Sequence, residues 1–262
     1  MDLGIRGKVA MVAAGSKGMG RATALALAAE GCAVSVCGRS ADSLATVKAE
    51  LEALKVPVLT VVADVAKAED LVRWHQATEA ALGPVQILVT NTGGPKAAGS
   101  ADLSDGDWAA GVESTLMNVV RMSRLVLPGM RVAKWGRIVH ITSLVAKQPL
   151  PLLTISSTLR AGLSGFTRTL ALETAKDGIT VNALLPGHVM TDRQVHLAEV
   201  KSAAEGITKD EYFSRTAQAI PAGRIGRPEE IGAVITFLCS GPASYVTGQS
   251  LLVDGGLVQG TF

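Results

Sequence analysis

Short runs that are apolar on both faces alternate along this 262-residue chain with longer Ala- and Leu-rich segments, and no other feature constrains the fold as much. A strand covered on one face shows a polar residue at every second position, whereas a strand covered on both faces does not. Lys8–Ala13, Ala33–Cys37, Val58–Ala63, Ile87–Asn91, Arg137–Ile141, Thr180–Leu184 and Ser250–Val253 read as seven strands of the second kind. Helical segments are predicted between them over Arg21–Glu30, Ala41–Leu54, Glu69–Leu82, Asp107–Arg131 and Arg160–Lys176. Strands and helices taking turns imply an α/β, doubly wound fold: a parallel sheet with helices on both faces. No linker, repeat or composition shift divides the chain, so one domain over residues 1–262 is expected. Within it, the less regular stretch His188–Ala219 follows a strand end and reads as a lobe covering a substrate.

The first strand runs into Ala14–Gly15–Ser16–Lys17–Gly18–Met19–Gly20 and then a helix. Glycines in that context give a tight turn and let backbone approach a pyrophosphate, while the helix start offers free N–H groups and a positive dipole end. This is a Rossmann-type dinucleotide site, and the ends of the next strands can identify the dinucleotide. An NAD site places an acid after the second strand to bind the ribose hydroxyls. No acid occurs between Gly31 and Asp42; Arg39 and Ser40 stand there instead. A guanidinium can grip a 2′-phosphate in forked geometry, and Lys17 offers a second charge, so NADP(H) is expected over NAD(H). Asp64 and Val65 end the third strand where an adenine would lie, and Asn91–Thr92–Gly93–Gly94 follows the fourth.

Composition narrows the partners. A net charge of +2 argues against nucleic acid and anionic membrane surfaces. No uncharged apolar run reaches the roughly 18 residues needed to span a bilayer, and the first residues read as a strand, not a leader. Cys32, Cys37 and Cys239 lack metal or redox spacing, so no metal is expected and buried thiols in a cytoplasmic protein are.

These motifs together resemble the short-chain dehydrogenase/reductase family, most closely its ketoacyl-carrier-protein reductase-like branch. Ile220–Gly232 and Tyr245–Gly256 look like its carboxyl-terminal signature, and Val181–Gly187 followed by Val189 and Thr191 looks like the loop seating the nicotinamide, with Pro186 and Gly187 at its bend. The resemblance implies an oxidoreductase acting on a small carbonyl or alcohol substrate, assembled as a homotetramer or homodimer. It also implies a catalytic Asn, Ser, Tyr and Lys. Ser143 matches the Ser, but Ser156 occupies the Tyr position thirteen residues on, and Arg160 the Lys position four beyond that. Thr115, seven after Trp108, occupies the Asn position, with Asn118 one turn later.

That departure changes the available chemistry. A tyrosine hydroxyl titrates near about 10 and a neighbouring cation can bring it lower, whereas serine is far less acidic. Arginine keeps its proton but can stabilise an oxyanion. Tyr212, in the lobe, has no lysine four residues on, and Tyr245 belongs to the carboxyl-terminal signature. His188 reads as a loop residue near the nicotinamide end, Lys147 as a surface charge and His140 as a satisfied core group. Three functions stay open: an NADP(H)-dependent carbonyl reductase with an unusual proton donor, a non-redox isomerase, lyase or dehalogenase on the same scaffold, and a protein that binds NADP(H) without turning it over.

Overall fold

The computed structural model describes residues 1–260, and its organising element is a seven-stranded sheet in which every pairing is parallel. The strands are β1 (Val9–Val12), β2 (Ala33–Gly38), β3 (Val58–Val62), β4 (Ile87–Thr90), β5 (Gly136–Ile141), β6 (Ile179–Pro186) and β7 (Ser250–Val253), in the spatial order β3-β2-β1-β4-β5-β6-β7. Every residue of β1, β2, β4, β5 and β6 is buried, as contiguous apolar runs require of strands covered on both sides.

Side chains alternate across each strand, so two separate cores form. On one face, Ala10 and Val12 of β1 meet Leu27 of α1 (Gly18–Ala29), Val47 of α2 (Ala41–Glu52) and Ile235 of a helix over Pro228–Leu238. On the other, Val9 and Met11 meet Trp74 of α3 (Ala68–Leu82), and Met122 and Leu170 of two later helices. Trp74 is fully buried yet satisfied: its indole N–H donates to Ser35 Oγ at 2.8 Å, and Ser35 Oγ lies 2.7 Å from Thr78 Oγ1. That polar tie fixes α3 on β2.

The long helix expected over Asp107–Arg131 is interrupted. A capping box from Ser104 and Asp107 starts α4 (Asp105–Gly111), a wide π turn spans Val112–Met117, and α5 follows over Asn118–Ala133. The next helix, α6, covers Thr154–Thr174 and starts six residues before the expected Arg160, which places Ser156 and Arg160 on one helical face. The His188–Ala219 stretch is corrected from irregular to helical: α7 runs over Asp192–Glu205 and α8 over Lys209–Gln218. Thr191 and Thr208 cap the two, accepting from the backbone N–H of Gln194 and Glu211. Helix α9 (Pro228–Leu238), absent from the sequence expectation, starts with proline at its first position, where the missing N–H costs nothing.

The turn from α6 into β6 depends on Gly178, at φ +75°, where a Cβ would lie 2.3 Å from the Lys134 carbonyl oxygen. Gly178→Ala combines a left-handed backbone with a clash against backbone that cannot swing aside. It is expected to destabilise the protein by about 3 kcal/mol. Thermal unfolding checks this; an unchanged Tm would mean that the α6–β6 corner relaxes freely.

Candidate active site

Strand order reverses between β1 and β4, and their carboxyl ends open the crevice in which doubly wound sheets bind ligands. The glycine turn lies there. A Cβ at Gly20 would sit 2.6 Å from the Ala14 carbonyl, and one at Gly15 would sit 2.9 Å from Val36 Cγ1. Both glycines are therefore needed to bring the start of α1 against the sheet. Gly93, by contrast, has nothing within 4 Å of a Cβ position and lines the crevice, so its bare backbone faces open space. A cradle closed to side chains on one wall and open above Gly93 fits a dinucleotide.

Two cavities fill the crevice. One of about 490 Å³ is lined by Ser16, Gly38, Arg39, Asp64, Val65 and Gly93 among others. A Cβ at Gly38 would meet Ser16 Oγ at 2.9 Å, so a larger residue here would displace the Ser16 hydroxyl. Arg39 is exposed and makes no ion pair among the described residues, which leaves its guanidinium for a phosphate. Asp64 turns the chain by accepting from the backbone N–H of Ala66 at 3.0 Å. Lys17 and Ser40 behave differently from expectation: neither lines this cavity. The Lys17 ammonium lies 3.5 Å from Asp192, and Ser40 Oγ caps α2 by accepting from Ser43 N.

The second cavity, of about 520 Å³, holds the candidate chemistry. Ser143, Ser156 and Arg160 meet on its wall with Met19, Asn91, Pro186, Gly187, Val189 and Thr191. Ser143 lies two residues beyond the end of β5 and accepts from the Val145 N–H at 3.4 Å. Arg160 Nε donates to Ser156 Oγ at 3.1 Å, one turn back on α6, and its Nη1 to the Ile141 carbonyl at 3.5 Å. Burial, with Arg193 second, lowers the Arg160 pKa to about 10, so it stays charged at neutral pH. Apolar walls come from Leu144, Val145 and Leu150–Leu153. Thr92 and Gly18 complete the loops: Thr92 lines both cavities, and a Cβ on Gly18, at φ +55°, would reach Thr191 Cγ2 at 3.2 Å.

Not every candidate reaches this wall. Thr115 is fully buried inside the π turn with no partner for its hydroxyl, and it lines neither cavity. Asn118 is equally enclosed, its Oδ1 accepting from the Val119 N–H at 2.6 Å. Lys147 is exposed and Tyr245 fully so. His188 does line the cavity, with Nδ1 3.4 Å from Gln194 Nε2, but burial lowers its pKa and so favours the neutral ring. Helix α7 adds residues that the sequence did not point to, Arg193, Gln194, Leu197 and Lys201, and α8 brings in Tyr212, which the sequence had placed in the lobe.

His140, on β5, is in the core as expected but only half satisfied. Nδ1 meets Thr90 Oγ1 at 3.0 Å, while Nε2 is buried without a partner. Burial pushes its pKa down to about 3, so the folded state resists protonation that the unfolded chain accepts below about 6.5. Stability tied to His140 is therefore present above pH 6.5 and lost progressively below it, by about 2 kcal/mol at pH 5. Denaturant titrations of the wild type and His140→Gln check this, and equal pH slopes would contradict it.

A family model described as enoyl-(acyl carrier protein) reductase matches residues 13–258. The 3-oxoacyl-[acyl-carrier-protein] reductase of Pseudomonas aeruginosa is 35% identical over 255 residues, which cover 97% of this chain and 99% of that protein. Among solved structures, the L-sorbose reductase of Gluconobacter frateurii complexed with NADPH and L-sorbose superposes with a TM-score of 0.95 at 34% identity, covering 99% of this chain and all of that one. An actinorhodin polyketide ketoreductase with NADPH gives 0.91 at 35% identity, covering 95% and 97%. With the sheet order, the glycine cradle and these relatives in agreement, the chain belongs to the short-chain dehydrogenase/reductase family and is similar to its ketoacyl reductases.

Proposed function

We propose that the protein is an NADP(H)-dependent oxidoreductase acting on a carbonyl or alcohol substrate in the cavity beside Ser143, Ser156 and Arg160. The observation that carries this reading is continuity: Ala14, Ser16 and Met19 of the glycine turn, Arg39, Gly93 and the Pro186–Thr191 loop line two cavities that share Thr92, Gly93, Gly94 and Arg193. Structures of relatives at 34 and 35% identity hold NADPH, which supports the same cofactor here. Arg39 would read its 2′-phosphate, the start of α1 its pyrophosphate, and the Pro186–Thr191 loop its nicotinamide. When bound, that cofactor supplies or accepts a hydride at the substrate carbon.

The residues of the chain handle the oxygen. Ser143 and Ser156 can donate hydrogen bonds to a substrate carbonyl, and the Arg160 charge, held in a poorly hydrated site, stabilises negative charge growing on that oxygen. As the carbon gains hydride, the π pair of the C=O bond moves to oxygen. That oxygen takes a proton from Ser156 Oγ, which recovers one from water. Serine is a weak acid, so the cation beside it must supply what a tyrosine supplies elsewhere.

A second reading, a protein that holds NADP(H) without turnover, is favoured by the lack of a phenol at position 156 and the enclosure of Thr115. NADPH oxidation across ketones, aldehydes and oxo acids separates the two. Turnover with any of them supports the reductase; NADPH binding with no turnover across the set supports the second reading.

A further inference from the structure

Resting on the proposed reductase reading, we propose that the substrate is an acid: an oxo or hydroxy acid whose carboxylate is bound by Arg160, with Arg193 and Lys201 facing the same anion.

Three cations line the substrate cavity, Arg160, Arg193 and Lys201, and no Asp or Glu does. Among the described residues none of the three has a carboxylate within ion-pair distance, although other cations of the covering lobe do. Lys209 pairs with Glu199, and Arg215 with Glu211 and Glu205. Of the lobe's lysines and arginines, Lys209 and Arg215 are paired with its carboxylates, and Arg193 and Lys201, which line the cavity, are not.

The chain's other buried arginine shows what a charge needs when no ligand is to bind it. Arg137, 3% exposed, donates to the carbonyls of Ser240, Gly136 and Gly178 and stacks its guanidinium on Trp135, 4.4 Å from the ring centroid. Arg160, 7% exposed, has one hydroxyl and one carbonyl at 3.5 Å, which uses two of its five N–H donors. A buried charge so poorly matched is costly unless an anion completes it. The ribose hydroxyls of a dinucleotide can accept from some of these N–H donors but carry no charge to balance the guanidinium. Arg193 packs its guanidinium over Gly94, where a Cβ would lie 2.9 Å from Nη1, and it lines both cavities. A 2- or 3-oxo acid sets its carboxylate one or two bonds from the carbonyl carbon. The same Arg160 can then fork onto the carboxylate while the serines hold the carbonyl, and Leu144, Val145 and Leu150 take an aliphatic tail.

The test titrates the NADPH-loaded protein with 3-hydroxyhexanoate and with its methyl ester by calorimetry; both are already reduced, so binding is read without turnover. The acid is expected to bind about 30-fold more tightly than the ester, and Arg160→Met is expected to bring the two within about threefold. Removing an unmatched buried charge should not unfold the variant, and its thermal transition is measured alongside. Equal binding of acid and ester by the wild type, or no binding of either, overturns the inference and leaves the reductase reading standing. If NADPH itself fails to bind while the acid still outcompetes the ester on the free protein, the reductase reading falls and the anion site remains.

Discussion

Replacing Arg160 by alanine is expected to lower kcat about 10² to 10³-fold while the affinity for NADPH changes by less than about tenfold. Oxygen charge must be stabilised by something beside Ser143 and Ser156, and Arg160 is the cation bonded to Ser156 Oγ, at 3.1 Å. A guanidinium on helix α6, fixed by Ser156 and the Ile141 carbonyl, needs little reorganisation as charge develops. Arg160→Lys keeps the charge but loses the fork, so it is expected to recover only part of the loss. Initial rates with the best substrate of the carbonyl set, together with NADPH titrations of each variant, check both expectations. An Arg160→Ala enzyme with wild-type kcat would remove this residue from the chemistry.

Arg39→Ala is expected to weaken NADPH about 10²-fold and to change NADH binding by less than about threefold. The difference arises because only NADPH carries the 2′-phosphate, and Arg39 is the cation at the end of β2 on the cavity wall. Arg193, the other cation on that wall, also reaches the substrate cavity, so it cannot substitute at the adenine end without leaving Gly94. Fluorescence titration of the variant with both nucleotides decides it. Equal losses for NADPH and NADH would show that Arg39 shapes the loop and does not read phosphate.

The strands were legible because central parallel strands must be apolar on both faces, and that leaves contiguous β-branched runs such as Ile87–Thr90. The nucleotide turn was legible for a similar reason, since only glycine fits at Gly15 and Gly20. Ser143, Ser156 and Arg160 could be placed by spacing, and the structure brings all three to one wall. Thr115 could not: its position depends on the π turn over Val112–Met117, a one-residue insertion that no hydrophobic period announces.

The covering lobe was the hardest part. Helix α7 mixes charge around its whole circumference, so a 3.6-residue stripe is faint, and its signals were the caps instead: Thr191, Gly206 at φ +66°, and Thr208 followed by Glu211. Once those ends are read, Arg193 falls in the first turn of a helix that enters directly from the Pro186–Thr191 loop. Arg193, Lys201 and Tyr212 then become visible as cavity residues, and they bear most directly on the identity of the substrate.

The central claim is that this chain holds NADP(H) in the cradle between Gly15 and Thr191 through a phosphate reader at Arg39. Calorimetric titration of the pure protein with NADPH and with NADH tests it most directly. The account predicts saturable NADPH binding about 10²-fold tighter than NADH. Binding of neither nucleotide, or tighter binding of NADH, would contradict it.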